Sequence, residues 1–539
     1  MRFDKHILSI GLLVAALAYT LWFVFAGFGN HQDPLYWLYK YEHLEGGWMA
    51  MGTLLTGGSI VRLFGAQLLP LRLAGWACVV AAIALPYCCL LTKEQRRTNL
   101  HWLGLAYVFM GYGAFQEFSP GTLSVLLLSA LWVTSAKANI KHHISYMTAV
   151  LLGIAVSIRF PNILALLVLI PLWKKRSLWY IPIAMLSAGI VYLLGYWLVT
   201  PSLMDAAMTS HDLMAMLSKL WENSGKMILY ALMAVGVLAI GQYTIHRTPY
   251  TIHFTPYIVG LPVALVALYT IKPMQWYNTD LTYMLSAFII VITVYRYPGI
   301  PKERLIGLLL LCVATLGTDT AWLKLFPAVL CLLPVAAVDY QALDRRYLFT
   351  VLAIFSVVVV YRMTSNSVGH TNLTKVQTTC SIAPYQGIAI SEAEEQRLHQ
   401  YLADYQWLND SINDPYGEAD RSNRKEMVND KMVNILSVGQ ECHLMRAVTG
   451  CDAARFNEFW SNIFDSVYTA KYREIIRAEQ PIVFCSFSPQ FKTKPRYKDT
   501  ESAFEQMLLD EGYQALDRST CKYMIYIPTN RKSYIVNGK

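Results

Sequence analysis

Up to residue 363 the apolar residues come in long runs with few polar interruptions; beyond it they come in short bursts between charged stretches. The long runs fall at 7–26, 71–91, 101–117, 120–135, 144–172, 178–199, 227–245, 254–271, 279–295, 304–317, 321–338 and 347–363. A helix needs about 20 predominantly apolar residues to cross a bilayer's hydrocarbon core, and many of these runs approach that length. The 144–172 run is too long for one span and is interrupted by Arg159, Phe160 and Pro161. A proline and a charge at that point predict two short helices meeting at one face. Counting them as a pair gives about 13 spans. No small-residue cleavage site follows the first run, so it reads as an uncleaved span rather than a signal peptide.

The basic residues sit in the short connections: Lys93, Arg96 and Arg97; Lys137 and Lys141; Lys174, Lys175 and Arg176; Arg247; Arg296, Lys302 and Arg304; Arg345 and Arg346. With the interrupted run taken as a pair, all six connections fall on one side, together with Arg2 and Lys5. The positive-inside rule makes that side, and the N-terminus, cytoplasmic. An odd number of spans then carries residues 364–539 to the outside. Many of the acids of residues 1–363 fall on the external side, among them Asp33, Glu42, Glu45, Glu117, Asp205, Asp280 and Asp319. Ordinary solvated loops would give that pattern, and so would an external site pairing carboxylates with cations at the membrane surface. The first external loop, 27–70, is not a plain linker. Pro34–Tyr41 is aromatic-rich, and Met49–Phe64 is apolar but interrupted by Gly52, Gly57, Gly58 and Arg62. Both predict helices lying along the interface rather than crossing it. A second external loop covers 200–226.

Residues 364–539 read differently. Strands are predicted at Gln386–Ile390, Asn434–Val438, Ile482–Cys485 and Tyr523–Ile527, with helices from a Ser391 cap to about Leu408, near 454–477 and over 501–513. This alternation predicts a soluble α/β domain with a partly parallel sheet. No chemistry is assigned to it; binding an acceptor, a glycan chain or a partner is the expected role.

Composition supports the division. Hydrophobic residues make up 55% and charged residues 15% of the 539, where a soluble chain carries about 25% charged. Residues 364–539 hold 20 basic and 22 acidic residues, so the net charge of +9 arises in the first 363. There it follows the topology, which sets nucleic-acid binding aside. Five of the ten cysteines lie in the outer domain: Cys380, Cys442, Cys451, Cys485 and Cys521. Cys442 and Cys451 form the easiest local pair, and the odd number leaves one thiol free. There is no CxxC, and neither His443 beside Cys442 nor His31 and His43 in the first loop has zinc-site spacing. No metal ligands are assigned; the cofactor is left open, with a divalent metal compatible with the chemistry but not indicated by the residues.

Several short segments occur in a suggestive order. A single span is followed by a long external loop opening on Asn30-His31-Gln32-Asp33-Pro34. Ile60–Gly65 then leads into Leu71-Arg72-Leu73, Phe115–Pro120 with Glu117 sits at an external turn, and Leu152–Pro161 carries Arg159. This order resembles the GT-C type integral-membrane glycosyltransferases, which include the protein mannosyltransferases and the aminoarabinose transferases of lipid A. The resemblance covers residues 1–340 approximately. It implies a GT-C-like membrane domain at 1–363 with an extracytoplasmic domain at 364–539, in a bacterial cytoplasmic (inner) membrane. It also implies transfer of a sugar from a polyprenyl-phosphate donor to a lipid or glycan acceptor. Asp33 would be the catalytic base, since a carboxylate at the membrane surface can take the acceptor's proton. Arg159, with Lys324 or Lys272, would stabilise the departing phosphate, and Glu117 and Asp319 complete the expected substrate-binding set. A one-step displacement would invert the anomeric centre. The sequence departs from the family in having Pro34 directly after Asp33 and in lacking a Lys-Pro-Pro stretch near Gly52.

Each residue also has a simpler reading. Asp33 before Pro34 has the form of a helix start, Glu117 could cap the next span, Arg159 could snorkel and Asp319 suits a turn. Two other functions fit the same topology: a transporter or flippase of a lipid-linked glycan, and a non-catalytic membrane scaffold.

Overall fold

The computed structural model describes residues 5–27, 33–111, 118–138, 142–173, 177–201, 213–247, 255–270, 279–294, 302–316, 321–338, 344–365, 373–413, 435–439, 442–449, 466–486, 495–516 and 524–529. The apolar runs form helices: α1 (Lys5–Phe25), α2 (Asp33–His43), α3 (Met51–Phe64), α4 (Leu68–Leu90), α5 (Lys93–Thr98), α6 (Leu100–Met110), α7 (Pro120–Ala138), α8 (His142–Ile158), α9 (Leu166–Trp173) and α10 (Ser177–Leu198). Further helices span Leu213–Arg247, Thr255–Thr270, Thr279–Val294, Lys302–Cys312, Ala321–Leu330, Leu333–Val338 and Arg345–Ser365. Among the described residues four segments are long and apolar enough to cross a membrane: His6–Phe25, Leu68–Leu90, Trp179–Leu198 and Ser224–Thr244. Other apolar helices, such as Leu281–Val294, are shorter.

Side-chain contacts fix how these helices run. Trp76 of α4 donates to Thr20 of α1 at 3.0 Å, and Arg72 donates to the Gly27 carbonyl at 2.9 Å. Later residues of α1 therefore meet earlier ones of α4, and the two are antiparallel. α8 and α10 are parallel, since Ser187 reaches the Val150 carbonyl and Tyr192 that of Val156. The chain must therefore return between them. It does so through a 3-10 turn, Phe160–Ala165, and α9, as the Arg159–Pro161 interruption predicts.

Among the described residues, the connections that carry Arg96, Arg304 and Arg345 lie at one end. α5 folds back on the end of α4, with Arg96 donating to the Cys88 carbonyl at 2.8 Å. Trp132, late in α7, donates to the Glu303 carbonyl at 2.6 Å. Phe349 packs edge-on against His101 and Trp102 at the start of α6. The other end carries α2 and α3, and the two roots of their loop meet residues beyond 373, where Gly27 N–H donates to Ala389 and Leu68 N–H to Pro384.

The outward faces of two helices stay apolar. Trp179, Met185, Leu186, Leu193 and Trp197 of α10 are exposed, as are Ile228, Leu229 and Leu232 of Leu213–Arg247. Exposed apolar faces of this size mark contact with lipid or another protein. At a rise of 1.5 Å per residue, Trp179 and Trp197 stand roughly 27 Å apart, close to the ~30 Å hydrocarbon thickness.

One expectation changes. The Leu213–Arg247 helix has 35 residues and begins inside the predicted 200–226 external loop. Its Leu, Met, Ala and Lys-rich opening has high helix propensity, which outweighs its lower hydrophobicity. The stretch predicted as a helix over Met49–Phe64 is helical as α3 (Met51–Phe64), and its glycines let neighbours approach. A Cβ on Gly52 would lie 2.8 Å from Ser157 Oγ of α8, and those on Gly57 and Gly58 would overlap Tyr41 and Leu44. α2 and α8 thereby pack closely on α3. α2 itself ends at Leu44, which holds the left-handed conformation usual for glycine there (φ 46°). Just beyond it, β1 (Glu45–Gly46) pairs in parallel with β2 (Thr200–Pro201).

Beyond residue 373, β3 (Thr378–Thr379) pairs with β4 (Ala389–Ile390). The helix Glu392–Asn413 opens with a reciprocal cap, Glu394 Oε2 accepting from Ser391 N at 2.9 Å. The four strands β5 (Ile435–Gly439), β6 (Ile482–Ser486), β7 (Tyr513–Leu516) and β8 (Met524–Pro528) form a sheet in the order β5-β6-β8-β7. β5 and β6 are parallel and the other pairs antiparallel. The sheet is buried on both faces, and residues alternate between them. Ile435, Ile482, Phe484, Ile525 and Ile527 face one core; Leu436, Val438, Val483, Cys485 and Tyr526 face the other. Two buried faces explain why these strands read as continuous apolar runs. The predicted 501–513 helix is Pro495–Asp510 instead. Gly512 (φ 79°) turns the chain, and Tyr513–Leu516 becomes a strand that the sequence reading missed.

Candidate functional site

Among the described residues, Arg159 and the segments that border Asp33, Glu117 and Asp319 meet at the end that carries α2 and α3. Asp33 is the first residue of α2, in keeping with its reading as a helix start; its side chain lies outside the described residues. Tyr41 of α2 is fully buried and donates its hydroxyl to the Phe118 carbonyl at 2.8 Å. Phe118 directly follows Glu117, which itself lies outside the described residues, as do Lys272 and Asp319.

Arg159 lies where α8 breaks. Pro161 has no N–H, so the Ser157 carbonyl four residues earlier loses its helical donor, while Arg159 N–H still reaches the Ala155 carbonyl at 3.1 Å. Thr53 of α3 donates to the Ile158 carbonyl at 2.9 Å. Asn162, fully buried, donates to the Ala155 carbonyl at 2.8 Å and accepts from Ser124 at 2.9 Å. Trp48, ahead of α3, meets Phe160 edge-on at 4.7 Å between ring centres. The break is thus built jointly by α3, α7 and α8.

From this position Arg159 donates through Nη1 to the Ala314 carbonyl at 2.9 Å and through Nη2 to that of Leu316. These belong to the 3-10 turn Val313–Thr315 and its cap, three residues before Asp319. Arg159 does not snorkel; it ties the broken helix to this turn, using two of a guanidinium's five N–H donors. Lys324 is exposed near the start of Ala321–Leu330, the helix that follows Asp319.

The first loop also carries its own polar contacts. Lys40 is buried over the Tyr36 ring at 4.5 Å. Tyr39 donates to Glu45 Oε2 at 3.0 Å, and the His43 ring packs on that of Tyr39 at 4.2 Å. Nearby, burial pushes the Tyr385 phenol well above its usual range, against the pull of the Arg72 and Arg397 charges. Among the described residues no group of three or more His, Cys, Asp or Glu is placed to hold a metal. Cys380 and Cys485 are buried free thiols, and the Cys442–Cys451 pairing lies outside the described residues. Sequence reasoning missed Thr53 and Asn162, because their roles depend on which carbonyls the fold brings beside them.

The class this fold and its apolar helices define is a helical membrane protein. Compared with known proteins, the chain matches no family model and no curated sequence.

Proposed function

We propose that the chain is a membrane glycosyltransferase that moves a sugar from a polyprenyl-phosphate donor to an extracytoplasmic lipid or glycan acceptor. The observation that supports this reading is the meeting of separately predicted segments at one end. α2, beginning at Asp33, holds Phe118 beside Glu117, α3 holds the Arg159 break, and Arg159 holds the turn before Asp319. In this reading Asp33 takes the proton of the attacking hydroxyl or amine. The new bond forms at the anomeric carbon as the bond to phosphate breaks, with inversion. Arg159 and Lys324, with Lys272, meet the charge of the departing phosphate. The N-terminus and basic connections face the bacterial cytoplasm, about 13 helices cross the inner membrane, and residues 364–539 form the outer α/β domain.

The test is native mass spectrometry of wild-type protein beside Asp33→Asn. The expected outcome is a co-purifying polyprenyl-phosphate sugar that accumulates in the variant because it binds but is not consumed. Absence of such a lipid from both samples, with the outer domain intact, would refute the reading.

A further inference from the structure

α2 is held from the C-terminal part of the chain. Arg446, on the helix Cys442–Thr449 and only 7% exposed, lies with its guanidinium over the ring of Tyr39. Beside it, Leu444, Met445 and Val448 share one apolar cluster with Leu35, Leu38 and Tyr41 of α2. That short helix follows β5 directly, and Ile435, Phe484 and Ile525 of the sheet belong to the same cluster. It therefore packs on the sheet and on α2 at once and joins the two. The loop's roots are held from the same side: Gly27 N–H donates to the Ala389 carbonyl at 2.8 Å and Leu68 N–H to that of Pro384 at 3.0 Å. Gln67 Nε2 donates to Gln386 Oε1 at 3.0 Å. A planar guanidinium stacks on an aromatic face in a way that a lysine ammonium does not reproduce, and exclusion of water strengthens the attraction.

We propose that Arg446 is a positioning residue, through which the C-terminal α/β unit fixes α2 and hence the segment that opens on Asp33. The outer unit thus sets the geometry of the first loop. The grip stands on the contacts above; its consequence for turnover rests on the glycosyl-transfer reading.

Hydrogen–deuterium exchange of the full chain in lipid nanodiscs tests it, with wild type, Arg446→Ala, Arg446→Lys, Tyr39→Ala and the double variant Arg446→Ala/Tyr39→Ala. Amides 35–43 are expected to exchange about tenfold faster in either alanine variant, and no faster in the double variant. Arg446→Lys, which keeps the charge, should recover part of the protection and serves if Arg446→Ala does not fold. Exchange in α4 should not change. Under the transfer reading, Arg446→Ala also lowers kcat while KM for the donor and the pH profile stay put, because Asp33 is still present. Unchanged exchange in α2 of a folded Arg446 variant, or simple additivity in the double variant, would overturn the proposal. Faster α2 exchange beside a wild type that transfers no sugar would support the grip and overturn the transferase reading.

Discussion

Adding one methyl group at Gly153 tests a close helix approach in the bundle. α8 and α10 cross where Gly153 faces the backbone of Ala184–Ala188. A Cβ there would overlap Ser187 Oγ, a side chain that can turn aside, but would also lie 2.9 Å from the Ala188 nitrogen and nearer still to the Ala184 carbonyl oxygen. A carbon–oxygen approach is ordinarily about 3.3–3.6 Å, and neither of these last two atoms can rotate away because both are backbone. The helices must therefore part by several tenths of an ångström or more. Overpacking of this kind costs about 1–3 kcal/mol. Alanine is also the better helix former by about 1 kcal/mol, which would mask part of the loss. Gly189, on α10, supplies the control, because a Cβ there meets nothing within 4 Å. Gly189→Ala should be neutral or stabilising by up to about 1 kcal/mol, so the propensity gain cancels in the difference between the two variants. Reversible unfolding by dodecyl sulfate, followed by circular dichroism, should then place Gly153→Ala below Gly189→Ala by about 1–3 kcal/mol. Equal stability of the two variants would refute the argument from close approach.

Thr53→Val removes the donor that satisfies the Ile158 carbonyl at the α8 break. The loss should be about 1–3 kcal/mol in the same unfolding assay, and Thr53→Ser should restore most of it. In the C-terminal unit, Glu511 binds Arg477 at 2.7 Å and Arg473 at 3.1 Å. The hydrogen bond from Arg477 is the main cause that holds its carboxyl below the usual value of 4.5. A depressed acid contributes stability that is present above pH 4.5 and lost as pH falls through the lower folded value. Wild type should thus lose local protection near Glu479 and Tyr513 below pH 4.5, while Glu511→Gln, already without the charge, should change less over that interval. Equal pH dependence of the two would refute the assignment.

Much of the secondary structure was legible along the chain because it depends on local pattern. The apolar runs mark the helices, Arg159-Phe160-Pro161 marks the break of α8, and the serine cap of Glu392–Asn413 stands in the sequence as Ser391 and Glu394. The segregation of basic connections was legible for the same reason, since charge can be counted without knowing neighbours. What the pattern could not supply was partnership. Gly52, Gly57 and Gly58 show no reason for their place in a helix until α8, Tyr41 and Leu44 are set against them. Arg159 shows its charge in the sequence but not which backbone it grips, until the carbonyls of Ala314 and Leu316 are found beside it. Arg446 carries no signal at all until its guanidinium meets Tyr39. Periodicity and charge are properties of neighbouring residues, so the sequence alone determined a helical, membrane-type first part and an α/β remainder. Which buried carbonyl is satisfied by which donor is settled only when distant segments meet, so the tertiary structure alone decided how the first loop is held.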